Sequence, residues 1–278
     1  MLRSILVALD DTPGARAARD HAFALARRHG AALSAAVVLD HPHTRSEHEV
    51  VPLGGAAFKA RRDAALSARA DAEAASAFAD CAQAAAGTPY VELRLPEAPE
   101  PALLRAGATH DLVVIGRDST LGREQLDDGV APVIESLLHD GARPLLVVPE
   151  VSAARADGPV LVGYDGSIPI MAALQLFALM GLADGAPVQV ASVAATREEA
   201  LAMAEEGCAY LRHHGLTATP LAMLGDRPAD LLLAQAEALG ARMMVLGAFE
   251  VGGLRRRLLG SATHVLLREA RVPVFIHR

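Results

Sequence analysis

The sequence predicts a doubly wound α/β protein in which one unit is written twice. Three observations carry that prediction. Apolar runs of 5–8 residues alternate with helical patterns of 10–20 residues, as repeated βα units require. The apolar runs lack polar alternation, as strands do when helices cover both faces of a parallel sheet. The order of runs, acids and glycines in the first half recurs in the second.

The repeat can be followed residue by residue. Ser4-Ile5-Leu6-Val7-Ala8-Leu9-Asp10-Asp11-Thr12 is matched, 155 residues on, by Pro159-Val160-Leu161-Val162-Gly163-Tyr164-Asp165-Gly166-Ser167. Each is an apolar run closed by an acid and then a small or hydroxyl residue. Each precedes an Ala/Leu-rich helical pattern, at 14–29 and at 168–182. Asp111-Leu112-Val113-Val114-Ile115-Gly116 is matched by Arg242-Met243-Met244-Val245-Leu246-Gly247 at a spacing of 131. That spacing holds from Gly129 to Gly260 and becomes 129 from Pro144 to Pro273. The first half therefore carries about 24 extra residues between its second and third strands, at 41–58 and in a longer following helix.

Strands are expected near 3–9, 31–39, 89–95, 111–116 and 143–148, and again near 159–165, 187–194, 217–224, 242–247 and 272–277. Right-handed crossovers then give each half a five-stranded parallel sheet of order 3-2-1-4-5 flanked by helices. The expected domains are 1–150 and 159–278, joined through a segment rich in Ser, Ala, Asp and Gly. The last strands, 143–149 and 271–278, would each be an exposed edge. Pairing them covers both and gives a pseudo-two-fold monomer. Further association into a homodimer stays open.

Composition narrows the function. Of 278 residues 52% are apolar but only 3% aromatic, with no Trp, so the core must be Ala, Leu and Val. A net charge of -7 argues against non-specific binding to nucleic acid or to an anionic membrane. No apolar run approaches the ~20 residues that span a bilayer, and the N-terminal run is too short for a signal peptide. A cytoplasmic protein is expected, with Cys81 and Cys208 as small buried thiols in a reducing compartment.

In such sheets ligands bind at the carboxyl ends of the strands, where the strand order reverses. In the second half those ends are Asp165-Gly166-Ser167 and Gly247-Ala248-Phe249-Glu250. Residues 251–259, which include Arg255, Arg256 and Arg257, lead to Gly260-Ser261-Ala262-Thr263 at a helix start. Gly260 permits close backbone approach, and the N–H groups with the Ser261 hydroxyl form an anion pocket. The same dipeptide alone also serves as an ordinary helix cap. Asp165 is placed to accept from an adenine amino group or a ribose hydroxyl.

Gly247-x2-Glu250-x9-Gly260-Ser261, then a helix and Arg271-Val272-Pro273-Val274-Phe275-Ile276, resembles the universal stress protein family. The family pattern is Gly-x2-Gly-x9-Gly-Ser/Thr before a helix and Val-Pro-Val. The resemblance covers the chain as a tandem pair, strong in the second half and degraded in the first. It implies Rossmann-like domains of the adenine nucleotide α-hydrolase-like type that pair through their last strands. Some members bind ATP in this loop; others lack the motif and bind none.

The ATP site so implied uses Asp165 at the adenine and Val193 on the base pocket. Gly247 approaches ribose and phosphates, and Gly260, Ser261, Ala262 and Thr263 hold the phosphates, with magnesium as companion ion. Glu250 departs from the pattern, standing where the second glycine belongs. A carboxylate near a triphosphate in a partly dry site costs more than ~1 kcal/mol of repulsion. Arg255 to Arg257 either offset it or form a solvated flank. In the first half Ser119 replaces that glycine, Val130 replaces the hydroxyl, and Glu124, Asp127 and Asp128 make the loop acidic. No triphosphate is expected there.

Other candidates are weaker. His41, His43 and His48 with Glu47 and Glu49 have metal-type spacing but no fixed scaffold, so a polar loop and no metal are expected. No nucleophile–base arrangement is legible, which argues against a dedicated hydrolase and leaves slow ATP turnover open. Three functions remain. One is a regulatory or protective stress protein with an adenine nucleotide in its second half. Another is an interaction protein with both sites degenerate. The last is an adenine nucleotide hydrolase, for which Asp10-Asp11-Thr12-Pro13-Gly14 is a poor phosphate loop.

Overall fold

A computed structural model describes residues 1–45, 49–122, 130–248 and 261–278. The first half runs β1 (Ser4–Leu9), α1 (Pro13–His29), β2 (Ala32–Val38), α2 (His41–Thr44), α3 (Ala56–Ala85), β3 (Val91–Leu95), α4 (Pro99–Ala108), β4 (Leu112–Gly116), α5 (Pro132–Asp140) and β5 (Leu145–Val148). The second runs β6 (Val160–Gly163), α6 (Ile168–Met180), β7 (Val188–Ala194), α7 (Arg197–His213), β8 (Ala218–Leu224), α8 (Pro228–Leu239), β9 (Met243–Gly247), α9 (Ser261–Glu269) and β10 (Val274–His277). Every strand expected from the apolar runs is present.

The strands form one sheet in the order β3-β2-β1-β4-β5-β10-β9-β6-β7-β8. Within each half the order is 3-2-1-4-5 and all pairs are parallel. The halves meet where β5 and β10 pair antiparallel, with Val274 opposite Val147, Phe275 opposite Leu146 and Ile276 opposite Leu145. Each last strand thus finds the partner it lacks in its own half.

Alternating side chains fill two cores, one on each face of the sheet. Ile5, Val7 and Leu9 join Phe23 and Phe78 on one side; Leu6 and Ala8 join Leu103 and Ile134 on the other. At the seam Phe275 of β10 meets Phe177 of α6 edge-on, ring centroids 6.0 Å apart. Polar ties also cross between the halves. Arg28 at the end of α1 contacts Asp184 at 2.5 Å, with His29 at 3.3 Å and Arg242 at 3.8 Å from the same carboxylate.

Thr12 starts α1, its hydroxyl accepting from Ala15 N–H at 3.2 Å with Pro13 next in the chain, as an N-cap should. Close packing of the first turn on the sheet dictates a glycine at the end of β4. A Cβ on Gly116 would lie 2.5 Å from the Ala15 nitrogen, and one on Gly247 at the end of β9 would lie 2.4 Å from that of Ile170.

The extra residues of the first half are α2 and a long α3. The polar loop expected at 41–58 instead begins with a helical turn. Asp40 enters it in the left-handed region (φ 43°), and its carbonyl accepts from the N–H groups of His43 and Thr44. The Thr44 hydroxyl donates back to the Leu39 and Asp40 carbonyls, closing the turn. α3 has 30 residues against 17 in its counterpart α7. Its buried residues, Ala74, Phe78, Cys81 and Ala85, all fall in its second half. Both cysteines are buried and free, and burial pushes each thiol up to about 11. Among the described residues no helix is long and apolar enough to cross a membrane.

Candidate functional site

Strand order puts the ends of β6, β7 and β9 side by side, since β6 pairs with both neighbours. Asp165, Val193 and Gly247 therefore lie at adjacent strand ends, each within two residues of the last residue of its strand. Asp165 is exposed and its Oδ1 accepts from Ser167 N–H at 3.1 Å. Val193 is half-buried in β7, beside Ser192, whose buried hydroxyl donates to the Tyr164 carbonyl at 2.7 Å. Gly247 presses the sheet onto Pro169 and Ile170, a packing role that the motif alone did not indicate.

Ser261, Ala262 and Thr263 form the first turn of α9. A helix start leaves its first N–H groups without intrahelical partners, with the positive end of the helix dipole behind them. Ser261 is exposed there, whereas Thr263 is 1% exposed and its hydroxyl has no partner among the described residues. Gly260, Glu250 and Arg255 to Arg257 lie outside the described residues, as do His48, Glu47, Glu124, Asp127, Asp128 and Gly129.

The matching end of the first half is closed by its own groups. Asp10 Oδ1 accepts from the Thr12 N–H and hydroxyl at 2.9 and 2.6 Å. Its Oδ2 accepts from Leu121 N–H at 2.9 Å, drawing the loop after β4 down onto the end of β1. Leu121 takes φ 51° and buries its side chain in doing so. Asp118 sets its carboxylate on the first turn of α1, Oδ2 accepting from Gly14 N–H at 3.3 Å.

The contrast is sharpest at the two helix starts. Val130, Ala131 and Pro132 stand where the second half has Ser261, Ala262 and Thr263. Val130 has no hydroxyl, Ala131 donates its N–H to the Arg117 carbonyl at 2.9 Å, and Pro132 has no N–H. A hydroxyl and two backbone N–H groups carried by the start of α9 are thus missing or committed at the start of α5. Val130 was legible in the sequence as a loss. Pro132 was equally visible, and its signal is that a proline at the first helical position removes a donor.

A cavity of about 230 Å3 nevertheless opens at the ends of β1 and β2 in the first half. It is lined by Asp10, Asp40 and Leu121 from the strand ends and loop, and by Arg69 and Glu73 from α3. Sequence reasoning missed Asp40, Arg69 and Glu73. The available signal was the spacing of Leu66, Arg69, Ala70 and Glu73 along one face of the extra helix. Among the described residues no three His, Cys, Asp or Glu side chains are grouped to hold a metal ion.

The continuous sheet and the duplicated βα order define a tandem Rossmann-like α/β protein. The chain belongs to the universal stress protein family, whose model matches residues 1–149 and again residues 158–278. It is similar to universal stress proteins of Mycobacterium tuberculosis and Mycobacterium bovis, 28% identical to each over 200 residues. That match spans 65% of this chain and 66% of theirs, so the chain spans about two thirds of the length of these curated relatives. Among solved structures it resembles a universal stress protein of Archaeoglobus fulgidus, with a TM-score of 0.71 at 16% identity over 99% of this chain and 98% of that one. A functionally unknown protein of Pseudomonas aeruginosa gives 0.59 at 17% identity, over 99% and 92%. At such identities the two structures bear on the fold alone.

Proposed function

We propose that this chain is a cytoplasmic regulatory or protective stress protein that binds an adenine nucleotide in its second half and not in its first. One observation carries the reading. The start of α9 offers Ser261, a buried Thr263 hydroxyl without a partner among the described residues and the first N–H groups of the helix, where the start of α5 offers Val130, a committed N–H and Pro132. Asp165, at the neighbouring strand end, is the acceptor for adenine or ribose, with Val193 beside the base and Gly247 and Gly260 near the ribose and phosphates. Magnesium would enter with the triphosphate, since no described acidic group is arranged to hold it alone. Bound nucleotide would act by altering partner binding, because no nucleophile–base pair stands among the described residues of the site.

Isothermal titration of the full chain with ATP tests this. One site per chain is expected, weakened at least tenfold by Ser261→Val or Gly260→Val and unchanged by Val130→Ser. Absence of binding at millimolar ATP would refute it. Glu250 favours a second reading, an interaction protein whose sites have both lost their ligand. Binding that appears only in Glu250→Gly selects that reading.

A further inference from the structure

The long helix of the first half leaves one face to solvent along its whole length. α3 spans about 45 Å, and its first eighteen residues (56–73) bury none of their number. The buried residues that follow, Ala74, Phe78, Cys81 and Ala85, lie on one side. On the opposite side Ala64, Ala65, Ala68, Ala72, Ala75 and Ala79 are all exposed, interrupted by Arg69, Asp71 and Ser76. Phe58 stands on that side near the N-terminal end and is 68% exposed. A helix face that only meets water carries long charged side chains, whereas this one would let a second helix approach to about 8 Å.

The charges of α3 are sorted along its length and say what that second helix is. Lys59, Arg61, Arg62 and Arg69 precede Ala70 with a single acid, Asp63, among them. Asp71, Glu73 and Asp80 follow it with no base. A second α3 laid antiparallel brings the basic end of each helix onto the acidic end of the other. One register sets Arg61 opposite Asp80 and Arg69 opposite Glu73. The same register sets Phe58 opposite Gln83, where Ala79 and Ala82 leave room for the ring. Arg61 donates to the Ala57 carbonyl at 3.3 Å and has no carboxylate partner among the described residues. Arg69 already lies 2.6 Å from Glu73, and Asp80 lies 3.9 Å from Arg19. Such solvent-exposed pairs are weak and leave their carboxylates open to a second cation. Asp71, near the centre of the pairing, keeps Arg94 at 3.7 Å, which offsets the like charge of its copy.

We propose that two copies of this chain associate through their α3 helices, packed antiparallel about a two-fold axis close to Ala70. Such an interface is isologous, so each of these pairs forms twice. The last strands are already paired within the chain, which leaves contact between chains to another surface. α7, the counterpart in the second half, is 17 residues long and lacks the extension. The inference does not rest on the nucleotide site proposed for the second half.

Sedimentation equilibrium of the full chain tests it. A concentration-dependent dimer is expected, weakened at least tenfold by Ala72→Glu, which puts a charge at the middle of the contact. Ala209→Glu, on the exposed face of α7, should leave it unchanged. Arg61→Glu should weaken the dimer, and Arg61→Glu with Asp80→Arg should restore it, because the two charges exchange places. A single introduced thiol reports the direction of packing, since both native cysteines are buried. On oxidation with diamide, Ala72→Cys should give a covalent dimer, and Ala57→Cys, far from its own copy, should not. Four results would overturn the proposal. They are a monomer at every concentration up to the sub-millimolar range, a dimer indifferent to Ala72→Glu, a charge exchange that fails to restore it, or cross-linking of Ala57→Cys as ready as that of Ala72→Cys.

Discussion

The Arg117 guanidinium, just past β4 in the first half, donates to the carbonyl of Ala270 in the second half at 2.9 Å. Arg278, just past β10, makes the reverse contact, donating to the carbonyl of His139 at 2.5 Å. Ala270 and His139 occupy matching positions at the ends of α9 and α5, so each half terminates a helix of the other with an arginine. Removing Arg117 leaves a carbonyl without its charged donor. Arg117→Ala is expected to cost about 1–2 kcal/mol and to lower the urea midpoint while the chain still unfolds in one transition. Two separated transitions would mean that the seam does not couple the halves.

The glycines that end β4 and β9 touch backbone, which cannot rotate away. Gly116→Ala and Gly247→Ala are each expected to cost about 2–3 kcal/mol through overpacking. Circular dichroism against urea would measure this. A loss below about 0.5 kcal/mol would show that α1 or α6 shifts freely on the sheet.

Both thiols should be inert in the native protein. With pKa values pushed to about 11, roughly one thiol in a thousand is ionised at pH 8. A disulfide reagent should label Cys81 and Cys208 at least a hundredfold faster in urea than in buffer. Rapid labelling of either one in buffer would reveal local opening of α3 or α7.

Acid should weaken the fold before its carboxylates titrate. Burial holds His21 and His277 below the ordinary histidine value of 6.5. Between the depressed folded values and 6.5 the unfolded chain binds more protons, so stability rises with pH there. It should therefore fall as pH drops from about 7 toward 5. His21→Asn with His277→Gln should flatten that slope, and an unchanged slope in the double variant would assign it to other groups.

The fold was largely legible in the sequence because it rests on local periodicity. Ten apolar runs, two glycines and a constant spacing from Gly116 to Gly129 are enough to draw both halves of the sheet and their seam. The asymmetry of the ligand ends was legible in part, through Ser261 against Val130. What the sequence left hidden is long-range. Asp10, Asp40, Arg69 and Leu121 are separated by loops and helices, and only the tertiary fold gathers them around one cavity. The first turns of α3 read as an ordinary solvated helix, because Arg69 and Glu73 at four-residue spacing suit that equally well.

The antiparallel seam of β5 and β10 also governs what each half is free to become. In a symmetric pair of identical subunits every loop substitution appears twice, so a change that closes one ligand end closes both. The covalent connection between residues 150 and 158 removes that constraint and holds the partners at high effective concentration. One copy can then keep a helix start bearing Ser261 and Thr263 while the other carries Val130 and Pro132 there and a cavity lined by Asp10, Asp11 and Asp40, and neither change disturbs the strands that join them.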